Sequence, residues 1–533
     1  MKTTNRKWKR AVAGAVVFSV ASALFAGCGG GKEDGIVSGT SPAPSTQATA
    51  GAAQNFLASK TPVTMSIHMH SFGAFDDAWP VFTEAAKRTN VTLKGTIAKT
   101  VTDKNEAFNL MVASGNIADI VTSTKVNMDK FGQEGAFEPL NDLIDKHAPN
   151  IKKFLEKRPD VKAVGTAADG KMYFLPFAPD GEAASGWFIR QDWLDALGLQ
   201  TPKTVDEYYK VLKAFKEQDP NKNKKADEVP YFTRDNNTAV YGLLALWGAD
   251  HDYYLKDGKI AFGPIEPTFK TGISAIAQWY KEGLIDREIF TRGAKAREVM
   301  LGDNIGGSTR DWFASTAAFN TSLKDKVPNL NFVPIAPPAD INGKVVEYTA
   351  RATVSTNGWG ISSSSKYKEE AIKYFDYWYT EEGRRLANFG VEGITYQLVD
   401  GKPKFTDEIL KSGAVTQTLW KYGVNLEFGY HQDFEYERQY LNPVAEKGMS
   451  EYINNKYPRQ QIPTLAYTSA EESKLKNLES NIKTYVMESS QKWVLGAEPV
   501  EGNYNAFVAQ LKTMGVEEVL KIKNEAYARY VKK

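Results

Sequence analysis

The sequence predicts an α/β fold in at least two lobes. Three observations carry this: short apolar alternations take turns with stretches of helical periodicity; 533 residues exceed what one hydrophobic core serves; and 42% hydrophobic with 24% charged residues is an ordinary globular composition. In chain order, TMSIHMH (64–70) reads as a strand, SFGAFDDAWP (71–80) as a loop and 79–90 as a short helix. VTLKGTIAKT (91–100) is a second strand, DKNEAFNLMVASG (103–115) a helix with a glycine stop, and ADIVTS (118–123) a third strand. Such β-α-β-α-β alternation implies a parallel sheet covered on both faces. It returns after DGKMYFLP (169–176) with a strand GWFIR (186–190), a helix from Gln191 and a longer helix over 204–218. TVSTNGWGIS (353–362) reads as a strand, 367–389 as one helix with an aromatic stripe, and the chain from 470 onward as mostly helical. No fixed-period repeat is found.

The N-terminus bears on the compartment. MKTTNRKWKR has five basic residues and no acid, and an apolar run and a small-residue site follow it, the pattern of a secretory signal. The apolar run is shorter than the roughly 20 residues of a membrane span. Cys28, the sole cysteine, sits in LFAGCGG directly after it. This resembles the bacterial lipobox, whose cysteine becomes a lipidated N-terminus; the alternative is a free thiol. One cysteine forms no internal disulfide, so stability rests on packing. Residues 28–59 are rich in Gly, Ser, Thr, Ala and Pro and read as a flexible tether. Losing residues 1–27 removes five positive charges and turns a net +2 into about −3, which argues against a nucleic-acid surface.

Six segments in order carry a more specific resemblance: ASGNIADIV, DGKMYFLP, FIRQDWLDALGL, TPKTVDEYYKVLKAFKEQDPNKNKKADEVP, YTEEGRRLANFGVEGITY and YNAFVAQLKTMGVEEVLKIKNEAYARY. Together they resemble the family 1 extracellular solute-binding lipoproteins of ABC transporters, in the branch of the alginate-binding proteins and the LplA/LipO-like lipoproteins of Gram-positive bacteria. The resemblance implies a two-lobed periplasmic-binding-protein-like fold (type II), with hinge crossovers and a ligand cleft between the lobes. It places a signal peptide at 1–27, one lobe at 60–172 plus 345–420 and the other at 173–344 plus 421–533. The implied protein is a monomer on the extracellular face of the cell membrane, lipid-anchored through Cys28. It captures an oligosaccharide for an ABC permease.

The stretch DPNKNKKADE (219–228) spaces Asp219, Asn221, Asn223, Lys225 (through its carbonyl), Asp227 and the adjoining Glu228 as calcium ligands would be spaced. The calcium loop of the alginate-binding proteins has the same spacing. Lys224 stands where an EF-hand has glycine, and Pro230 where its bidentate Glu would be, so the reading is a static structural Ca²⁺ site. The alternative is a solvated polar turn after a helix. A transported metal would want a cleft site, and histidine is scarce, with five in the chain.

Sugars offer flat apolar faces ringed by hydroxyls, so aromatic platforms beside forked polar groups are the candidates. GGSTRDWFAS (306–315) supplies Arg310, Asp311 and Trp312; family resemblance favours Trp312 as a stacking residue, the alternative being a tryptophan wedged under a loop. Trp187 and Arg190 lie near the implied hinge, although Arg190 and Asp192 could instead pair with each other at a helix start. Further candidates are Arg351 and Trp359, Tyr396 beside a tight turn at Glu392, and Tyr430, Phe434 and Tyr436 in FGYHQDFEYERQY. In the first lobe His70 is a hydrogen-bonding candidate and His68 packing, with Asp76 in the following loop. Two histidines at i, i+2 with no third ligand do not make a zinc site.

No HExxH, G-x-S-x-G or phosphate-loop motif occurs, and the two S-x-x-K matches (363–366 and 489–492) lack their companion motifs. The expectation is therefore a binding protein and not an enzyme. The alternatives are a surface glycan- or peptide-binding lipoprotein uncoupled from import and a secreted glycan hydrolase, whose paired carboxylates a sequence cannot exclude.

Overall fold

The computed structural model describes residues 56–532 except 180, 182, 235–237, 350 and 413. The expected signal peptide, Cys28 and residues 29–55 of the expected tether lie outside the described residues. Among the described residues no helix is long and apolar enough to cross a membrane.

Two sheets organise the chain. The first runs Val91–Gly95, Val63–His68, Ile120–Thr124, Asn357–Ile361, Leu175–Pro176 from edge to edge. Its first three strands are parallel, as β-α-β-α-β requires. Asn357–Ile361 then joins antiparallel to Ile120–Thr124, and Leu175–Pro176 antiparallel to it, so the expected all-parallel sheet is mixed. Glycine permits this insertion: a Cβ at Gly358 would lie 2.2 Å from the Leu175 carbonyl oxygen, and one at Gly360 2.4 Å from that of Tyr173. The helix Pro80–Thr89 begins on its proline and ends at Asn90 in the left-handed region, burying Val81, Phe82 and Ala85. Lys104–Ser114 is capped by the Asp103 carboxylate, which accepts from the Asn105 and Glu106 amides, and stops at Gly115.

The helix expected over 367–389 is two helices, Lys368–Tyr377 and Glu381–Phe389. Thr380 takes the N-cap of the second, its hydroxyl accepting from the Gly383 amide, with Glu381 and Glu382 in the first turn. A cap followed by two acids was the signal for the break.

The second sheet runs Phe332–Ile335, Ser185–Arg190, Gly306–Trp312, Val229–Tyr231 and is mainly antiparallel. Its inner strand Ser185–Arg190 is covered on both faces, and Trp187, Phe188 and Ile189 are buried. The core around the first sheet gathers residues from Ala58 to Ala178 and from Val354 to Tyr436. The core around the second takes residues from Ala183 to Ile335 and from Ala445 to Ile522. Val424, Leu426, Phe428, Tyr430 and Tyr436 thus pack with the first sheet, although the sequence division put residues from 421 in the other lobe.

The long helix Ser469–Val494 opens with a capping box: the Thr468 hydroxyl accepts from the Glu471 amide and the Glu471 carboxylate from the Thr468 amide. Thr468→Ala is expected to cost about 1 kcal/mol of stability. Urea unfolding checks this, with an unchanged slope and a lower midpoint.

Candidate functional site

Several expected ligand residues are core. Trp187 is buried edge-on against Tyr208, with ring centroids 5.4 Å apart. Trp359 is fully buried and stacks on Phe375 at 3.9 Å. Tyr430 and Tyr436 hydrogen-bond the same buried Asn425. Tyr396 is buried beside Phe389 and Phe405 in the first core. Arg190, also buried, forks onto Asp192 at 2.8 and 2.5 Å, donates to Asn304 and lies over the Trp193 ring. The expectation that Trp187, Trp359, Tyr430 and Tyr436 meet a ligand is corrected, because inner strands and doubly covered loops put their side chains into packing; Tyr396 and Arg190, also largely buried, each reach the lining of a separate surface cavity.

The end of the strand Gly306–Trp312 behaves differently. Ser308 and Thr309 are buried and donate to the carbonyls of Phe188 and Phe232, which fixes the strand's trajectory. Trp312 then emerges 53% exposed, in register with Ser185, where the chain arrives from the first sheet. Asp311 turns back to accept from the Trp312 amide at 2.7 Å and from Arg234 at 2.7 and 3.0 Å. The Arg310 Nε lies 3.0 and 3.1 Å from the two oxygens of Glu347, a fully buried carboxylate, and its Nη2 donates to Thr349. Burial works against the Arg310 charge, but Glu347 more than restores it and holds the guanidinium above its ordinary range. Arg351 makes the same fork onto Glu437 at 2.6 and 2.8 Å and lies over the half-buried Phe434 ring.

In the first lobe a cavity of about 120 Å³ opens at the carboxyl ends of Val63–His68 and Ile120–Thr124. Crevices outside strand carboxyl ends are the usual ligand positions in open α/β sheets. Its lining includes His70, Phe72, Lys104, Asn105, Asn357 and Glu427. Burial and the neighbouring His70 hold the His68 pKa down to about 4, so that its imidazole is neutral. His70 lies with Nε2 3.0 Å from the Val101 carbonyl oxygen, to which it donates, while its buried Nδ1 has no partner among the described residues. Phe72, 46% exposed, stacks flat on Trp420 at 3.6 Å, so one face of the pair is braced. Glu427 sits at φ +54, in the left-handed region. Burial pushes its carboxyl up, while Lys104 and Arg351 pull it down. Asp76 is tied to Lys99 at 2.8 Å outside this lining. Phe72, Lys104 and Glu427 escaped the sequence reading. An aromatic directly after a strand end was a usable signal for Phe72, whereas nothing in the sequence marks Glu427.

The loop 219–228 curls through left-handed backbone at Asp219, Lys222 and Lys224, so that the Asn223 and Lys224 amides point at the Asp219 carboxylate, each 3.0 Å away. Asn223 turns its amide NH₂ to both oxygens of Asp227, and Asn221 approaches one of them at 3.4 Å. Lys225 donates its backbone amide to the Asn223 side chain. Glu228 is only 2% exposed, with Oε1 unpartnered among the described residues. Its carboxyl is pushed up by burial first, then by Asp227 and Asp219. Among the described residues no three His, Cys, Asp or Glu side chains converge on a metal position. The loop's oxygens are mixed amide, carbonyl and carboxylate, the hard donors calcium prefers, and the buried unpartnered Glu228 oxygen fits such a guest.

Relatives give this geometry a context. FusA, a fructooligosaccharide ABC transporter substrate-binding protein of Streptococcus pneumoniae serotype 4, is 27% identical over 463 residues, covering 80% of this chain and 83% of its own. The crystal structure of the alginate-binding protein AlgQ2 without calcium ion is 41% identical, with a TM-score of 0.73, over 89% of this chain and 99% of its own. An EF-hand mutant of FusA in complex with fructo-nystose shares the fold at 23% identity and a TM-score of 0.68, over 88% of this chain and 99% of its own. The two-lobed α/β fold is that of these proteins. Residues 68–385 match the model of one family, and the chain belongs to it: the bacterial extracellular solute-binding proteins.

Proposed function

We propose that the chain captures an oligosaccharide in a cleft between its lobes and delivers it to an ABC importer permease, without chemically changing it. The observation that carries this is the pair of exposed aromatic faces at the sheet ends, Trp312 in one lobe and Phe72 in the other. Each is braced by its own lobe and flanked by polar side chains. The sugar ligands in the names of FusA and AlgQ2 support the same class. A ligand touching both platforms favours the closed arrangement, and a permease that recognises that arrangement receives loaded protein. In this proposal one lobe holds 60–178 plus the chain from 345 to about 440, extended past 172 and past 420 because 173–178 and 424–436 pack with the first sheet, and the other takes the remainder. The mature protein is a monomer tethered through lipid on Cys28 to the outer face of the cell membrane.

A structural calcium ion completes the proposal. Asp219, Asn221, Asn223, the Lys225 carbonyl, Asp227 and Glu228 would hold it, and its charge would offset that of the gathered carboxylates. Names that mention calcium and an EF-hand among the structural relatives support this assignment.

A thermal-shift screen of mature protein against glycans and peptides tests the reading, because a specific ligand raises Tm in proportion to the logarithm of its concentration over Kd. Oligosaccharides are expected to raise Tm and to be recovered intact by mass spectrometry after overnight incubation. Peptide-only stabilisation or shortened glycans would overturn it.

A further inference from the structure

We propose that Arg351 is a positioning residue, a clasp that ties together the chain crossings between the two lobes and fixes the arrangement the lobes hold before ligand arrives. The inference rests on the two-lobed capture reading above and deepens it.

Among the described residues the chain passes between the two cores at three places. At the first, Ala178 packs in the first core and exchanges backbone hydrogen bonds with Tyr430 and Gln432, whereas Ala183 is buried in the second. At the second, Glu347 is bridged to Pro458, and the Thr349 hydroxyl lies 3.0 Å from that of Ser185 and accepts from Arg310 at 2.7 Å. Two residues on, Arg351 forks onto Glu437, and Val354 is buried in the first core. This crossing therefore falls between Thr349 and Arg351. At the third, Tyr436 and Tyr440 pack with the first core, and Leu441 and Ala445 with the second.

The Arg351 side chain brings the three together. Its guanidinium holds Glu437 at 2.6 and 2.8 Å and lies over the Phe434 ring, 5.5 Å from the centroid, just before the third crossing. Phe434 itself packs against the second core. Gly181, inside the first crossing at φ +144, sits against both groups: a Cβ there would be 3.1 Å from the Phe434 ring and 3.6 Å from an Arg351 nitrogen. A planar guanidinium forks one carboxylate and covers a ring at once, which a lysine ammonium does not. Lobe closure is absorbed by backbone rotation at a few crossing residues. With the clasp in place the three crossings turn as one; without it each turns alone, and the lobes wander.

Double electron–electron resonance without ligand tests this. Nitroxides are placed through Lys153→Cys and Lys295→Cys, exposed positions in the first and second lobes, on the mature chain carrying Cys28→Ser. Arg351→Gln and Arg351→Lys are each expected to make the distance distribution roughly twofold wider than the unsubstituted clasp does. Thr468→Ala, which weakens the fold elsewhere, should leave the width unchanged. Tm shows which variants fold. Should Arg351→Gln fail to, its combination with Glu437→Gln leaves no buried charge unpaired and carries the same expectation. A folded variant with an unchanged width overturns the clasp and leaves the capture reading standing, as does equal widening by Thr468→Ala. An arginine that only touched ligand, or only stabilised the fold, would give that unchanged width. A glycan screen in which no saccharide raises Tm overturns the capture reading and leaves the measured width as it is.

Discussion

Trp312→Ala is expected to weaken oligosaccharide binding about thirtyfold while leaving stability within about 0.5 kcal/mol, and Trp359→Ala to do the reverse. The first figure takes a central aromatic anchor as worth about 2 kcal/mol and tenfold per 1.4 kcal/mol. Trp312 is half exposed and its strand is fixed by Ser308 and Thr309 beneath it, so truncation removes a platform and little packing. Trp359 is fully buried, stacked on Phe375 and touching Tyr374, Trp378 and Phe428. Emptying that volume costs about 3–5 kcal/mol. Calorimetric titration and urea unfolding of the two variants separate the cases. A Trp312 variant that loses stability but keeps its ligand would show a structural tryptophan and remove one of the two proposed platforms.

The two tryptophans show how far the sequence could be read. Local periodicity located Val63–His68, Val91–Gly95, Ile120–Thr124, Ser185–Arg190, Asn357–Ile361 and the helices beside them, because those signals are set within a few residues, but it did not mark Gly306–Trp312, Phe332–Ile335 or Val229–Tyr231 as strands. It could not tell an inner strand from a strand end, and that difference decides whether a tryptophan packs or stacks on a ligand. Asn357–Ile361 pairs with a strand more than two hundred residues earlier, so both the mixed character of the sheet and the burial of Trp359 are long-range facts. The arginines were legible as cations but not as spent ones. Glu347 lies 37 residues from Arg310 and Glu437 lies 86 from Arg351. The loop 219–228 could be read as a candidate because its polar groups are local in sequence, and the cap at Thr380 with its two following acids is a local signal of the same kind.

Calcium is expected to raise the unfolding free energy by about 2.7 kcal/mol at a hundredfold excess over Kd. EDTA should reverse that gain. Glu228 gives the test its sign. Without the ion, its carboxyl is buried among Asp219 and Asp227, and its folded pKa is raised above the ordinary value. A raised folded pKa means that the folded state holds a proton the unfolded state has lost. The corresponding stability is complete below the unfolded value, roughly 4.3, and is lost as pH rises through the folded one. In EDTA at neutral pH, Glu228→Gln should therefore stabilise the protein, and it should flatten the fall in stability with rising pH. In calcium the same change should destabilise relative to wild type, since a charged ligand is gone and affinity drops. Chemical unfolding of both proteins in EDTA and in calcium reads the crossing directly. Parallel responses, with no change of sign, would place the ion elsewhere or nowhere, and 219–228 would be a solvated turn. Either result leaves the first-lobe cavity untouched, because the loop is no part of its lining.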